Sequence, residues 1–145
     1  MITETHIKML FEDLWPAMNY AEIHKHECLN NIETIQNRFH QFGSDHNKLL
    51  RSLKGIPGIG ITIASGLIWS VFPENRVPFD KYTLTYALYE EIFRLPKIST
   101  NYTTYSDKIK DYCDKRDYDI EEFVRIAMVK MQEYVEVGGV LATPE

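Results

Sequence analysis

The sequence predicts an all-α protein, and three observations support this prediction. Apolar residues recur every three or four positions along most of the chain, which is the spacing of one helical face. We find no convincing stretch that alternates apolar and polar residues as a half-buried strand does. Capping residues, glycines and prolines fall at the ends of the periodic stretches. We therefore expect six or seven helices, packed as one compact bundle.

Composition limits the classes of protein to consider. The chain has 145 residues, of which 44% are hydrophobic, so it can bury one core, and we expect a single domain over residues 1–145. No apolar run approaches the roughly 20 residues that span a bilayer, and the first residues lack a secretion signal, so we expect a cytoplasmic protein. Cys28 and Cys113 are then expected to be free thiols.

Two helices are predicted in the first third of the chain. The first runs from Glu4 to Trp15 and stops at Pro16, which cannot continue a helix. The second runs from Tyr20 to Phe42 as one long helix, straight or kinked, with Gly43 at its C-terminal end.

A helix, hairpin, helix unit is predicted at about residues 46–70. Asp45 is the expected N-cap of a short helix that ends at Leu53, and a second helix begins at Ile61. Between them lies Gly55-Ile-Pro-Gly-Ile-Gly60, and glycine allows the chain backbone to turn tightly and to approach a ligand closely.

The remaining helices are predicted from their boundaries. A proline-bounded loop ends at Phe79, and Asp80 then begins a helix that we expect to run from Lys81 to Arg94. Residues 96–105 are predicted to be a loop, after which Ser106 caps a helix that ends at Lys115. Asp119 is expected to cap the last helix, which ends before two glycines.

The hairpin has the features of an anion site. The backbone N–H groups of Gly58, Gly60 and Thr62 lie at a helix N-terminus, where the dipole favours a phosphate, and backbone donors do not distinguish bases. Lys48, Arg51 and Lys54 are spaced by three, and residues 46–73 contain no acid, which gives +3 locally against −5 for the whole chain. These cations either flank a phosphate path or form an ordinary solvated helix face.

The motif Gly55-Ile-Pro-Gly-Ile-Gly60, with Ala64 after it, resembles the hairpin of the helix-hairpin-helix DNA glycosylase superfamily, typified by endonuclease III and the bacterial alkylpurine glycosylases. In that family a catalytic aspartate begins the next helix, and Asp80 lies in the matching place, eighteen residues after Thr62. The resemblance covers roughly residues 32–88. It implies sequence-independent binding of duplex DNA and assigns Asp80 to stabilising positive charge on the sugar as a damaged base leaves.

The resemblance also implies further site residues. A base extruded from the duplex needs an aromatic slot. The first candidates for this slot are Trp69, Tyr82 and Tyr86, and the further candidates are Trp15, Tyr20 and Phe79. Lys81 is a candidate for a phosphate contact. A monovalent cation, K⁺ or Na⁺, would be held by backbone carbonyls of Lys54, Ile56 and Ile59.

Three departures from the family modify these expectations. Thr62 stands where strand-cleaving members carry a lysine, so no lyase step is expected. Two cysteines cannot build the four-cysteine iron–sulfur loop, so no cluster is expected. Only some 45 residues precede the hairpin, so a protein partner or a second copy could supply missing helices.

Two functional interpretations therefore stay open. In the first, the chain is a monofunctional DNA glycosylase of base excision repair, in which Asp80 takes part in hydrolysis of an N-glycosidic bond. In the second, it is a non-catalytic module that binds DNA or a protein, and Asp80 only caps its helix.

Overall fold

The computed structural model describes residues 1–15, 21–92, 94 and 98–144. This part of the chain is helical and contains no β-strand, which confirms the predicted class. A π-helical turn, Leu10–Leu14, follows the first helix and closes with a 2.9 Å hydrogen bond from the Trp15 N–H to the Leu10 carbonyl. The α-helices are α1 Glu4–Met9, α2 Ala21–Asn30, α3 Ile32–Phe42, α4 His46–Lys54, α5 Ile61–Val71, α6 Lys81–Tyr89, α7 Ile98–Lys115 and α8 Ile120–Glu136.

Three predicted N-caps are confirmed. The side chains of Asp45, Asp80 and Asp119 each accept a hydrogen bond from the backbone N–H three residues later, at 3.1, 2.8 and 2.9 Å. These bonds satisfy donors that the first helical turn leaves without a partner, so α4, α6 and α8 begin where the sequence predicts.

The stretch predicted from Tyr20 to Phe42 as one long helix, straight or kinked, is two helices, and Tyr20 itself lies outside the described residues. The chain breaks into α2 and α3 at Asn31, whose φ of −108° and ψ of 17° are not helical. The Asn31 side chain donates 2.8 Å to the carbonyl of Glu27, and its backbone N–H is shared between the carbonyls of Glu27 and Cys28. Asparagine competes in this way with the helical hydrogen bonds, which explains the break.

The loop predicted at residues 96–105 is wrong from Ile98 onward, because α7 begins there, with a kink at Asn101, whose φ of −126° and ψ of 23° are not helical. Residues 96 and 97 lie outside the described chain. The side chains of Tyr102 and Tyr105 are buried, and their hydroxyls donate to the carbonyls of Val77 and Pro78 at 2.8 and 3.0 Å. Ser106 does not cap a helix, since its hydroxyl accepts from the Val77 N–H. Tertiary contacts with the loop before α6 therefore outweigh the weak helix propensity of this segment.

The helix predicted from Lys81 to Arg94 ends early, at Tyr89. Glu91 lies in the left-handed region with φ 55°, which interrupts the helical path. The N–H of Ile92 then bonds back to the Ala87 carbonyl at 2.9 Å. Residues 93 and 95 lie outside the described chain.

The buried apolar side chains form one cluster to which all eight helices contribute. Helix α5 lies at its centre, with a continuous buried stretch from Ile63 to Trp69. Helix α4 contacts α3, α5 and α7, and α6 packs along α8. None of the described helices has the length and apolarity needed to cross a membrane.

Candidate nucleic-acid interface

The turn between α4 and α5 is fixed by its two isoleucines. Ile56 and Ile59 are each 3% exposed, and the N–H of Ile59 donates 3.0 Å to the Ile56 carbonyl. Pro57 and Gly58 between them are exposed, as are Gly55 and Gly60 on either side. Gly58 has φ +84°, a conformation that side chains rarely adopt. The isoleucines thus hold the turn on the core while its glycine backbone faces outward.

The N-terminus of α5 is open. Gly60 is its N-cap, no side chain caps it, and a Cβ placed on Gly60 would meet no atom within 4 Å. Within the described residues, the N–H groups of Gly58 and Gly60 make no hydrogen bond. Unpaired donors at the positive end of a helix dipole can bind an anion, so the geometry suits a phosphate.

Thr62, predicted to offer its backbone N–H to a phosphate, also makes a side-chain hydrogen bond to the segment before α6. Its hydroxyl donates 3.2 Å to the carbonyl of Phe79, the residue immediately before Asp80. This bond joins the first turn of α5 to the start of α6. It places the predicted anion site and the predicted carboxylate on neighbouring elements.

The predicted cations lie on the helix that leads into the turn. Lys54 is the last residue of α4, and Arg51 and Lys48 lie one and two helical turns before it, each turn rising about 5.4 Å. Lys48 and Arg51 are exposed and Lys54 is half-buried. Lys81 is exposed beside Asp80, with its ammonium 5.2 Å from the centre of the Tyr82 ring.

Asp80 is 6% exposed and fully hydrogen-bonded. Oδ1 accepts from the Thr83 N–H at 2.8 Å, and Oδ2 accepts from the Thr83 hydroxyl at 2.9 Å and from Nε1 of Trp15 at 3.1 Å. Burial raises the pKa of the carboxyl, while the hydrogen bonds from Thr83, Trp15 and the backbone of Tyr82 act in the opposite direction. Asp80 is therefore a buried helix cap whose surroundings disfavour the charged form of the carboxyl group.

Trp15 fills the space beside Asp80. Its ring, 4% exposed, lies over Gly66 of α5 so closely that a Cβ on Gly66 would collide with it. The rings of Trp15 and Trp69 meet edge to face, with 6.4 Å between their centroids. The carboxylate consequently faces an indole in this conformation, rather than an open cleft.

The three residues predicted to form a base slot are not brought together as an open one. Trp69 is completely buried and Tyr86 is 6% exposed, with its hydroxyl donating 3.0 Å to Glu90. Tyr82 is half-buried beside Lys81. Trp69 and Tyr86 are core residues here, and Nε1 of Trp69 has no hydrogen-bond partner among the described residues.

The remaining predicted groups are the backbone carbonyls expected to hold a cation and the two cysteines. The Ile56 carbonyl, one of three expected to hold a cation, already accepts the hydrogen bond from Ile59. No group of three or more metal-ligating side chains occurs in the described chain. Cys28 and Cys113 are buried free thiols, as predicted, and burial raises the pKa of each to about 12.

A large groove lies elsewhere, where α7 and α8 meet, and encloses about 770 Å³. Lys110 is its one lysine, against a set of six carboxylates. The net charge of −5 is therefore unevenly distributed over the chain. An acidic surface of this kind repels a nucleic-acid backbone. The six acids are Glu74, Asp114, Asp117, Asp119, Glu121 and Glu122.

Sequence reasoning missed one residue of the interface. Glu27, on α2, places a carboxylate oxygen against Gly58, where a Cβ would collide with it. The two residues are 31 positions apart on separate elements, and no local pattern connects them.

Comparisons with protein-family models, with curated proteins and with solved structures found no match to this chain.

Proposed function

We propose that this chain binds duplex DNA through the sugar–phosphate backbone, without sequence preference, at the turn from Gly55 to Gly60 and the N-terminus of α5. The observation that carries the proposal is that Gly58 and Gly60 are exposed and that their N–H groups make no hydrogen bond in the described structure. Backbone donors contact phosphates without reading bases.

The cations of α4 supply the electrostatic attraction. Lys48 and Lys54 form no ion pair with a described residue, so their charge is not neutralised within the fold. These two lysines give about two phosphate contacts, for which log K should fall against log salt with a slope of about −2. We therefore expect weak binding that is measurable at low salt and lost at high salt.

Gly60→Glu tests this function. The φ of Gly60 is −88° and nothing lies within 4 Å of a Cβ there, so the substitution leaves the fold intact and places a carboxylate at the phosphate site. In fluorescence anisotropy with a labelled duplex, the wild type should bind at low salt and the variant should not. Val137→Glu, at a side chain that is 85% exposed, adds the same charge elsewhere and should bind as the wild type does.

A second candidate function is hydrolysis of the N-glycosidic bond of a damaged base. It is favoured by the position of Asp80, which directly follows Phe79, the residue whose carbonyl accepts the hydrogen bond from Thr62 of α5. A duplex bound at the N-terminus of α5 would therefore lie near Asp80. In this reaction water adds to the sugar carbon, the bond to the base breaks, and the base leaves with a proton, while Asp80 stabilises the positive sugar. Trp15 has to move before a base can reach Asp80.

Asp80→Asn tests the second function separately from the first. The amide still accepts a hydrogen bond from Thr83 but carries no charge. We expect DNA binding to be retained and base release from alkylated, oxidised or deaminated duplexes to be lost. If the wild type releases no base while it still binds DNA, the first function stands without the second.

A further inference from the structure

The carboxylate of Glu27 lies against Gly58, one of the exposed residues of the proposed phosphate site. A Cβ on Gly58 would collide with Glu27 Oε2 and would lie 3.2 Å from Cδ. The Glu27 side chain is 36% exposed, so it lies at the surface of the turn rather than beneath it. Helix α2 thus presents an anion at the place where a DNA phosphate would approach.

This carboxylate is not used to stabilise the turn. Within the described structure it accepts no hydrogen bond from the N–H of Gly58 or Gly60, although both are unpaired. Among the described residues, Glu27 pairs with His24, with 3.9 Å between His24 Nδ1 and Glu27 Oε2, and with no lysine or arginine. Its negative charge is therefore left next to the glycine backbone.

We propose that Glu27 lowers the affinity of the hairpin for duplex DNA, because its carboxylate competes with a DNA backbone phosphate for the space beside Gly58. The inference rests on the proposed function. A phosphate at the N–H groups of Gly58 and Gly60 comes close to Glu27, and like charges repel at that range. The side chain has to turn away, or bind a cation, each time a duplex docks.

Glu27→Gln tests the inference because it keeps the shape of the side chain and removes the charge. In anisotropy titrations at low salt we expect the variant to bind duplex DNA about fivefold more tightly than the wild type, as expected when one nearby like charge is removed. Glu33→Gln is the matched control, since Glu33 is exposed on α3 and the substitution removes the same charge. Equal gains in the two variants would assign the effect to net charge and overturn the inference.

The double variant Glu27→Gln with Gly60→Glu locates the effect. Because Gly60→Glu alone is expected not to bind, the double variant should not bind DNA either if Glu27 acts at the hairpin. If Glu27→Gln restores DNA binding to Gly60→Glu, Glu27 does not act through the hairpin, and the inference fails while the single Gly60→Glu result still decides the proposed function. If neither the wild type nor Glu27→Gln binds at any salt concentration, both are overturned. Thermal unfolding of each variant checks that the fold is retained.

Discussion

The indole N–H of Trp15 donates a 3.1 Å hydrogen bond to Oδ2 of Asp80, across 65 residues of chain. The bond joins the end of the π-helical turn Leu10–Leu14 to the start of α6. The Trp15 ring also packs on Gly66 of α5. The aspartate predicted to be catalytic is therefore, in this conformation, a buried structural group. Its surroundings lead to three of the following predictions.

Asp80→Ala should destabilise the protein strongly. It removes the N-cap of α6 and leaves the Thr83 N–H and the Trp15 indole N–H without an acceptor. We expect the free energy of unfolding to fall by about 2–3 kcal/mol in urea denaturation. Asp119→Ala, which removes an exposed cap bonded to Glu122, should cost about 1 kcal/mol. Equal losses in the two variants would contradict the role of burial.

The stability of the wild type relative to Asp80→Asn should fall as pH rises above 3.8, the ordinary pKa of the group. Burial raises the folded-state pKa, so the folded protein binds more protons than the unfolded chain between the ordinary and the raised value. The penalty for burying the charge is absent below pH 3.8 and complete above the folded-state pKa. Urea unfolding of both proteins across the acid range measures it, and a difference that rises with pH would refute the prediction.

Gly66→Ala should destabilise the protein although alanine favours helices. The new Cβ collides with the ring of Trp15, and this overpacking should cost about 1–3 kcal/mol, which exceeds the gain of up to about 1 kcal/mol in helix propensity. A changed tryptophan emission should accompany the loss. Gly60→Ala, where a Cβ has no neighbour within 4 Å, should change stability by less than about 1 kcal/mol. Greater stability of Gly66→Ala would show that Trp15 does not lie on α5.

Neither thiol should react in the folded protein. Cys28 and Cys113 are 0% and 1% exposed, and burial raises the pKa of each to about 12, so almost no thiolate is present at pH 8. A disulfide reagent such as Ellman's reagent should titrate no thiol in native protein and two in urea. Rapid labelling of either cysteine without denaturant would contradict the packing around α2 or α7.

Local chemistry accounts for the parts of the fold that the sequence predicts well. Asp45, Asp80 and Asp119 are recognisable caps because an aspartate before an apolar periodic stretch satisfies N–H groups only three residues away. The position of the break at Asn31 was not predicted, because apolar periodicity continues through it. The start of α7 was missed because Tyr102 and Tyr105 are ordered by carbonyls that lie 25 and 27 residues away.

The helical class, the main caps and a glycine turn between two helices can be predicted from the sequence, since each depends on periodicity or on neighbours within a few residues. The exposure of that turn and the surroundings of the two functional candidates depend on tertiary packing. Trp15 covers Asp80, and Glu27 lies against Gly58, through contacts between helices that are distant along the chain. Burial and charge at such contacts arise from packing, which is why no local pattern indicates them.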